Sequence, residues 1–141
     1  MDVQVNYWAV FLAAVSSMIV GMLWYMPSLF GKPWMKLTGV KLNRKLSNNQ
    51  MARMYVSTFV ASLLTAYILA HVTFLSNRFF HHEFLQDALA TGFWLWLGFT
   101  AARLLVHDIF ESRPVALTLL NAGHELATVI VMAMIVGVMG V

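Results

Sequence analysis

The sequence predicts an all-α integral membrane protein. We expect a bundle of four helices with both chain ends outside and a short interfacial helix after the first span. Three observations carry this. Apolar residues make up 60% of the 141-residue chain and charged residues only 11%, against roughly 45–50% and about 25% in soluble domains. Four apolar runs each approach or exceed the roughly 20 residues that cross a bilayer. The basic residues fall almost entirely on one side of those runs. This composition excludes a disordered chain, a nucleic-acid-binding module and most soluble enzymes. The chain contains no Cys, so disulfides, thiolate metal sites and Cys nucleophiles are excluded.

The first run is Trp8 to Met26. Only Asp2 is charged before it, no small-residue cleavage pattern follows, and Trp24-Tyr25 closes it, so it reads as a retained helix rather than a signal peptide. Pro27 ends it. Lys32 to Gly39 reads as a short helix on the membrane surface, with Pro33 early and Gly39 at its end. Ser47 and Gln50 form a capping-box pattern, so the second helix starts near Asn48, and its apolar span is Val56 to Leu75. The third span, Ala88 to Val106, follows Glu83 and Asp87, whose charges suit a helix N-terminus. Pro114 opens the fourth run, Val115 to Val141, with the span itself at about 115–139. The expected organisation is one transmembrane domain, 1–141, with spans at about 8–26, 56–75, 88–106 and 115–139.

Orientation follows from the basic residues. Lys32, Lys36, Lys41, Arg44, Lys45 and Arg53 lie in the first connection, and Arg103 and Arg113 flank the third. Arg78 alone lies across the membrane from them. The positive-inside rule therefore places both termini outside and the first connection in the cytosol. The expected location is a bacterial inner membrane.

The fourth span holds the polar residues that invite a function. Thr118, Asn121, Glu125 and Thr128 share one helical face, with His124 beside Glu125. Glu125 stands ten residues past Val115, about 15 Å deep and near the midplane of a bilayer core about 30 Å thick. Lipid does not satisfy a charge there, so this face is expected to point into the bundle or a protomer contact. Two readings stand beside each other. One is a structural hydrogen-bond cluster with Glu125 protonated, and the other is a proton, ion or ligand site. Counting across antiparallel helices places Arg103 level with Thr118, from where it either reaches towards Asn121 and Glu125 or snorkels to the headgroups. The same counting puts Ser16, Ser17 and Thr65 at the depth of Glu125.

Other polar residues have simpler readings. Trp96, Thr100, Arg103 and His107 share a face of span three. His107, Asp108 and Glu111 read as a solvated helix end. His71 reads as an interfacial or hydrogen-bonded residue. His81, His82, Glu83 and Asp87 offer metal-binding side chains without the spacing of a metal site. His124-Glu125 begins a zinc-protease motif, but no second His follows at the required position. No catalytic, cofactor-binding or metal site is expected. Small residues four apart, Ala13, Ser17 and Gly21 on span one and Ser57, Ala61 and Thr65 on span two, are the expected helix-packing faces.

The segments Asn6-Tyr7-Trp8-Ala9-Val10 and Trp24-Tyr25-Met26-Pro27-Ser28-Leu29-Phe30-Gly31-Lys32-Pro33-Trp34-Met35 resemble an N-terminal signature of small bacterial membrane proteins. These are grouped as domain of unknown function 1761. Phe110-Glu111, Leu120-Asn121-Ala122-Gly123 and the Met- and Gly-rich ending are similar to that family's last segment. The resemblance implies a four-helix membrane protein and brings no activity with it. The family's last segment carries an aromatic near His124 and no acid at Glu125, so Glu125 departs from its pattern. The function expected from all this is a non-catalytic structural or accessory subunit of the bilayer. Its partners would be lipid, further copies of itself or a larger membrane complex, and no nucleic acid. The alternative is a small oligomeric transporter or channel with a polar path at Asn121 and Glu125.

Overall fold

The computed structural model describes residues 3–40 and 46–140. The basic residues Lys41, Arg44 and Lys45 and the terminal Val141 lie outside them. The chain forms α1 (Tyr7–Trp24), α2 (Gly31–Thr38), α3 (Asn48–Phe80), α4 (Phe84–Leu95), a π-helical segment (Trp96–Ala101), α5 (Ala102–Phe110) and α6 (Val115–Met139). The described residues contain no strand. α4, the π segment and α5 run on as a single helix, Phe84–Phe110, giving four helices long and apolar enough to cross a membrane.

The helix ends follow the local chemistry. Asn6 caps α1 by accepting the amides of Trp8 and Ala9 through its side-chain oxygen. The Ser47–Gln50 capping box closes in both directions at the start of α3. α2 covers the predicted short helix and stops at Gly39, whose φ of 71° is the left-handed geometry that terminates helices. At 33 residues α3 is about 50 Å long, well beyond a bilayer core of about 30 Å. Its first turns, Asn48 to Tyr55, are wholly exposed.

α6 is the hub, packed along α1 and α4, while α3 packs along α1 and α4 on the other side. α1 and α6 are antiparallel. The Asn6 side chain donates to the Met139 carbonyl at one end (3.3 Å), and the Tyr25 hydroxyl donates to Asn121 at the other (3.3 Å). Asn6 and Met139 therefore lie at one end of the bundle, and α2 lies at the opposite end. The core holds Ala13, Ala66, Ala70, Ala88 and Ala133 around Leu69, Met132 and Val136. So many alanines let the backbones approach closely, which is how helices gain contact energy in lipid.

The packing faces differ in part from expectation. Ala13 and Ser17 are buried, and Gly21 abuts α6, where an added Cβ would stand 3.4 Å from His124 Nε2. Ser57, Ala61 and Thr65, in contrast, are exposed. α3 buries Ala66, Leu69, Ala70, Thr73 and Phe74 instead. Ser62, Ala66 and Ala70 repeat the same four-residue spacing one position further on, so size alone does not choose between the two registers. The Ser17 and Ser62 hydroxyls meet at 2.8 Å and fix the observed one.

Candidate functional site

The end of α1 makes a tight corner. The amides of Leu29 and Gly31 both donate to the Met26 carbonyl at 3.0 Å, and that of Phe30 to the Trp24 carbonyl at 3.1 Å. Gly31 is the residue that permits this. A Cβ there would collide with the Tyr25 carbonyl and stand 2.8 Å from that of Met26. The corner stacks Phe30 on Trp24, with centroids 4.4 Å apart, and α2 sets Trp34 against Tyr25 at 5.3 Å.

This aromatic corner folds over the middle of α6. Gly123 gives Trp24 room to lie against the helix, since its Cβ position is only 3.3 Å from the indole ring. Tyr25 donates to Asn121 and packs its ring on His124 at 5.0 Å, and Trp24 lies edge-on to the same imidazole at 6.1 Å. His124 Nδ1 is 3.3 Å from Glu125 Oε1. If Nδ1 carries the proton that faces the carboxylate, neutral His124 presents Nε2 as an acceptor. That atom is buried without a partner among the described residues, and so is the donor Trp24 Nε1. The corner therefore leaves one buried donor and one buried acceptor unpartnered near a partly exposed carboxyl group.

The predicted polar site is partly assembled. Asn121, His124 and Glu125 converge, joined by Trp24 and Tyr25. Thr128 is buried one turn further, its hydroxyl unpartnered. Thr118 belongs elsewhere, because its hydroxyl donates to Asp108 Oδ2 at 2.6 Å and ties α5 to the start of α6. Asp108 is itself buried, so the solvated helix end expected around it is corrected to an anchored one. Its carbonyl also accepts the Arg113 amide. Arg103 does not reach the site. It is exposed and makes no hydrogen bond or ion pair among the described residues. The face drawn through Trp96, Thr100, Arg103 and His107 is broken by the π segment. Trp96 turns inward and donates to the Ala122 carbonyl at 3.0 Å, whereas Arg103 and His107 point outward.

The depth of Glu125 is also corrected. Tyr25 pairs with Asn121 and Gly21 with His124, so Glu125 is level with the last turn of α1 rather than with Ser16 and Ser17. α6 begins beyond the end of α1, and α2 covers part of that overhang. Counting from helix ends missed this stagger. No set of three His, Asp or Glu residues converges to hold a metal among the described residues. His82 and Asn77 turn instead to buried Asp87, at 3.1 and 2.8 Å.

The segments that carried the family resemblance are the ones that meet here: Trp24 to Trp34 from the first half, Asn121 to Gly123 from the last. Nothing among curated proteins or solved structures matches the chain. A family match extends from residue 8 to residue 137, nearly the whole sequence. The chain belongs to the family described as Protein of unknown function (DUF1761).

Proposed function

We propose that this integral membrane protein is a non-catalytic subunit that associates with further copies of itself, covering Glu125 in the assembly. One observation carries the reading: the Glu125 side chain is 43% exposed on a helix that spans the bilayer. Lipid offers it no hydrogen bond, and an ionisable group on a membrane-spanning helix normally faces protein or a water-filled cavity. Burial against another chain supplies such a surface. The exposed Ser57, Ala61 and Thr65 stripe supports the same reading, since small residues four apart favour close helix contact in lipid. The proposed setting is a bacterial inner membrane with both chain ends outside, as the basic residues suggest.

A transport path through a single chain has less support. Beyond Thr128 the described core is an apolar cluster that includes Val10, Ala13, Leu69, Met132, Ala133 and Val136.

Native mass measurement of the purified chain in mild detergent tests the proposal. The wild type and Glu125→Gln are expected as oligomers, and Glu125→Leu as dissociated or heterogeneous species. A wild type that is monomeric in detergent and in lipid nanodiscs overturns the reading.

A further inference from the structure

At the end of the bundle opposite the aromatic corner, α3 and α4 line a cavity of about 680 Å3. That volume is in the range of small-molecule sites. Its head is polar: Asp87, His82, Ser76, Gln86 and Thr91 contribute to the wall. Its body is apolar, running past Trp94 to Phe99. Trp94 is 66% and Phe99 77% exposed, so the cavity opens sideways into the bilayer rather than into water.

The carboxylate is the unusual feature. The Asp87 side chain is 4% exposed. Its two oxygens receive Asn77 Nδ2 at 2.8 Å and face His82 Nδ1 at 3.1 Å. No Lys or Arg among the described residues pairs with it. Arg78, the nearest in sequence, stands over the Phe74 ring at 5.2 Å instead. A buried carboxylate without a permanent cation is costly unless a positive group reaches it. Asp87 lies three residues into α4, about 4.5 Å from the start of this spanning helix. From Asp87 to Phe99 the groove follows twelve residues, about 18 Å. One leaflet of a 30 Å core is about 15 Å deep.

We propose that this cavity is a binding site for a single bilayer lipid with a primary-amine headgroup, its ammonium on Asp87 and one acyl chain along Trp94 and Phe99. An ammonium brings three N–H donors and a positive charge to the Asp87 carboxylate and the oxygens of Ser76, Gln86 and Thr91. A trimethylammonium head brings charge without donors, and an anionic head is repelled. The site is separate from the Tyr25–Asn121–His124 cluster, and it does not depend on oligomerisation.

The test is native mass spectrometry of the full chain. It is equilibrated with equal amounts of phosphatidylethanolamine, phosphatidylcholine and phosphatidylglycerol of identical chains. Retained phosphatidylethanolamine should exceed each of the others by about tenfold, the worth of one hydrogen bond to a charged group. Asp87→Asn, with folding checked by thermal melting, should bring the three to parity. Trp94→Ala should lower all three alike. Equal retention by the wild type, or a preference that survives Asp87→Asn, overturns the proposal. If Asp87→Asn does not fold, competition on the wild type decides. Dodecylamine should displace the bound lipid, and dodecyltrimethylammonium and dodecanol should not. Equal displacement by all three overturns the amine assignment, and retention of lipid against dodecylamine excludes a head-directed site.

Discussion

Replacing Gly137 by Ala tests the closeness of α4 and α6. A Cβ on Gly137 would lie 2.7 Å from Leu85 Cδ1, 2.8 Å from Leu85 Cα and 3.1 Å from Ala88 Cβ. The Leu85 side chain can turn away, but the contact with its Cα is with backbone, and no rotamer change relieves that. Ordinary van der Waals contact begins near 3.4 Å, so α4 must withdraw by about 0.6 Å along a seam that also holds Ala88, Ala133 and Val136. Overpacking of this kind costs roughly 1–3 kcal/mol. Exchange of Gly for Ala in a helix returns at most about 1 kcal/mol. The net effect is a destabilisation of about 1 kcal/mol, which for a chain of this size lowers the melting temperature by roughly 4 °C. Gly98→Ala is the matched control, because its Cβ meets nothing within 4 Å. It should melt at or above the wild type. Both are read by thermal unfolding in one detergent with an intrinsic tryptophan signal. If Gly137→Ala is as stable as the wild type, the two helices are not held at the observed distance.

Asp108→Ala should destabilise by about 1–3 kcal/mol, because it strands the buried Thr118 hydroxyl. Adding Thr118→Val should recover part of that loss, and strict additivity in melting measurements would show that the 2.6 Å bond contributes nothing. Ala66→Leu should lower the melting temperature by several degrees, whereas Ala61→Leu leaves the single chain's stability unchanged, and the reverse order would restore the alternative register of α3. In a chain with no native Cys, Glu83→Cys should react with a membrane-impermeant thiol reagent added outside intact cells and Asn49→Cys should not. The opposite labelling pattern inverts the proposed orientation.

The helices were legible because length, apolarity and capping are local properties. Asn48 as the start of α3 follows from Ser47 and Gln50 alone, and the end of α2 from Gly39. Rotation about the helix axis was less legible. Ser57-Ala61-Thr65 and Ser62-Ala66-Ala70 are equally small, and only a partner such as Ser17 distinguishes them. Stagger was hidden for the same reason. The level of Glu125 depends on how far α6 overhangs α1, and that is set by the Tyr25–Asn121 and Gly21–His124 contacts. Within the candidate site, Asn121, His124 and Glu125 stood out because polar residues are rare in a span. Trp24 and Tyr25 read as the close of the first run, yet their closure onto α6 needs the corner that Gly31 permits. Asp87 and Asp108 looked like ordinary helix-end charges because burial across a turn leaves no mark on the sequence.

The π-helical segment changes how the third span tolerates length. Trp96 and Asp108 both face α6, yet they are twelve residues apart. At about 100° per residue, twelve steps overshoot three whole turns by about 120°, which would aim one of the two away from α6. A π bulge takes up roughly one surplus residue, reducing that offset to about 20° on the same arithmetic. The segment Trp96–Ala101 thus acts as a phase corrector. Deleting one residue within it, Gly98 for instance, should yield an uninterrupted α-helix with both bonds to α6 retained. The same deletion in α4 or α6 would rotate everything beyond it by about 100° and turn its buried side chains towards lipid. Length variation of one residue in this span is therefore expected at this turn and nowhere else along it.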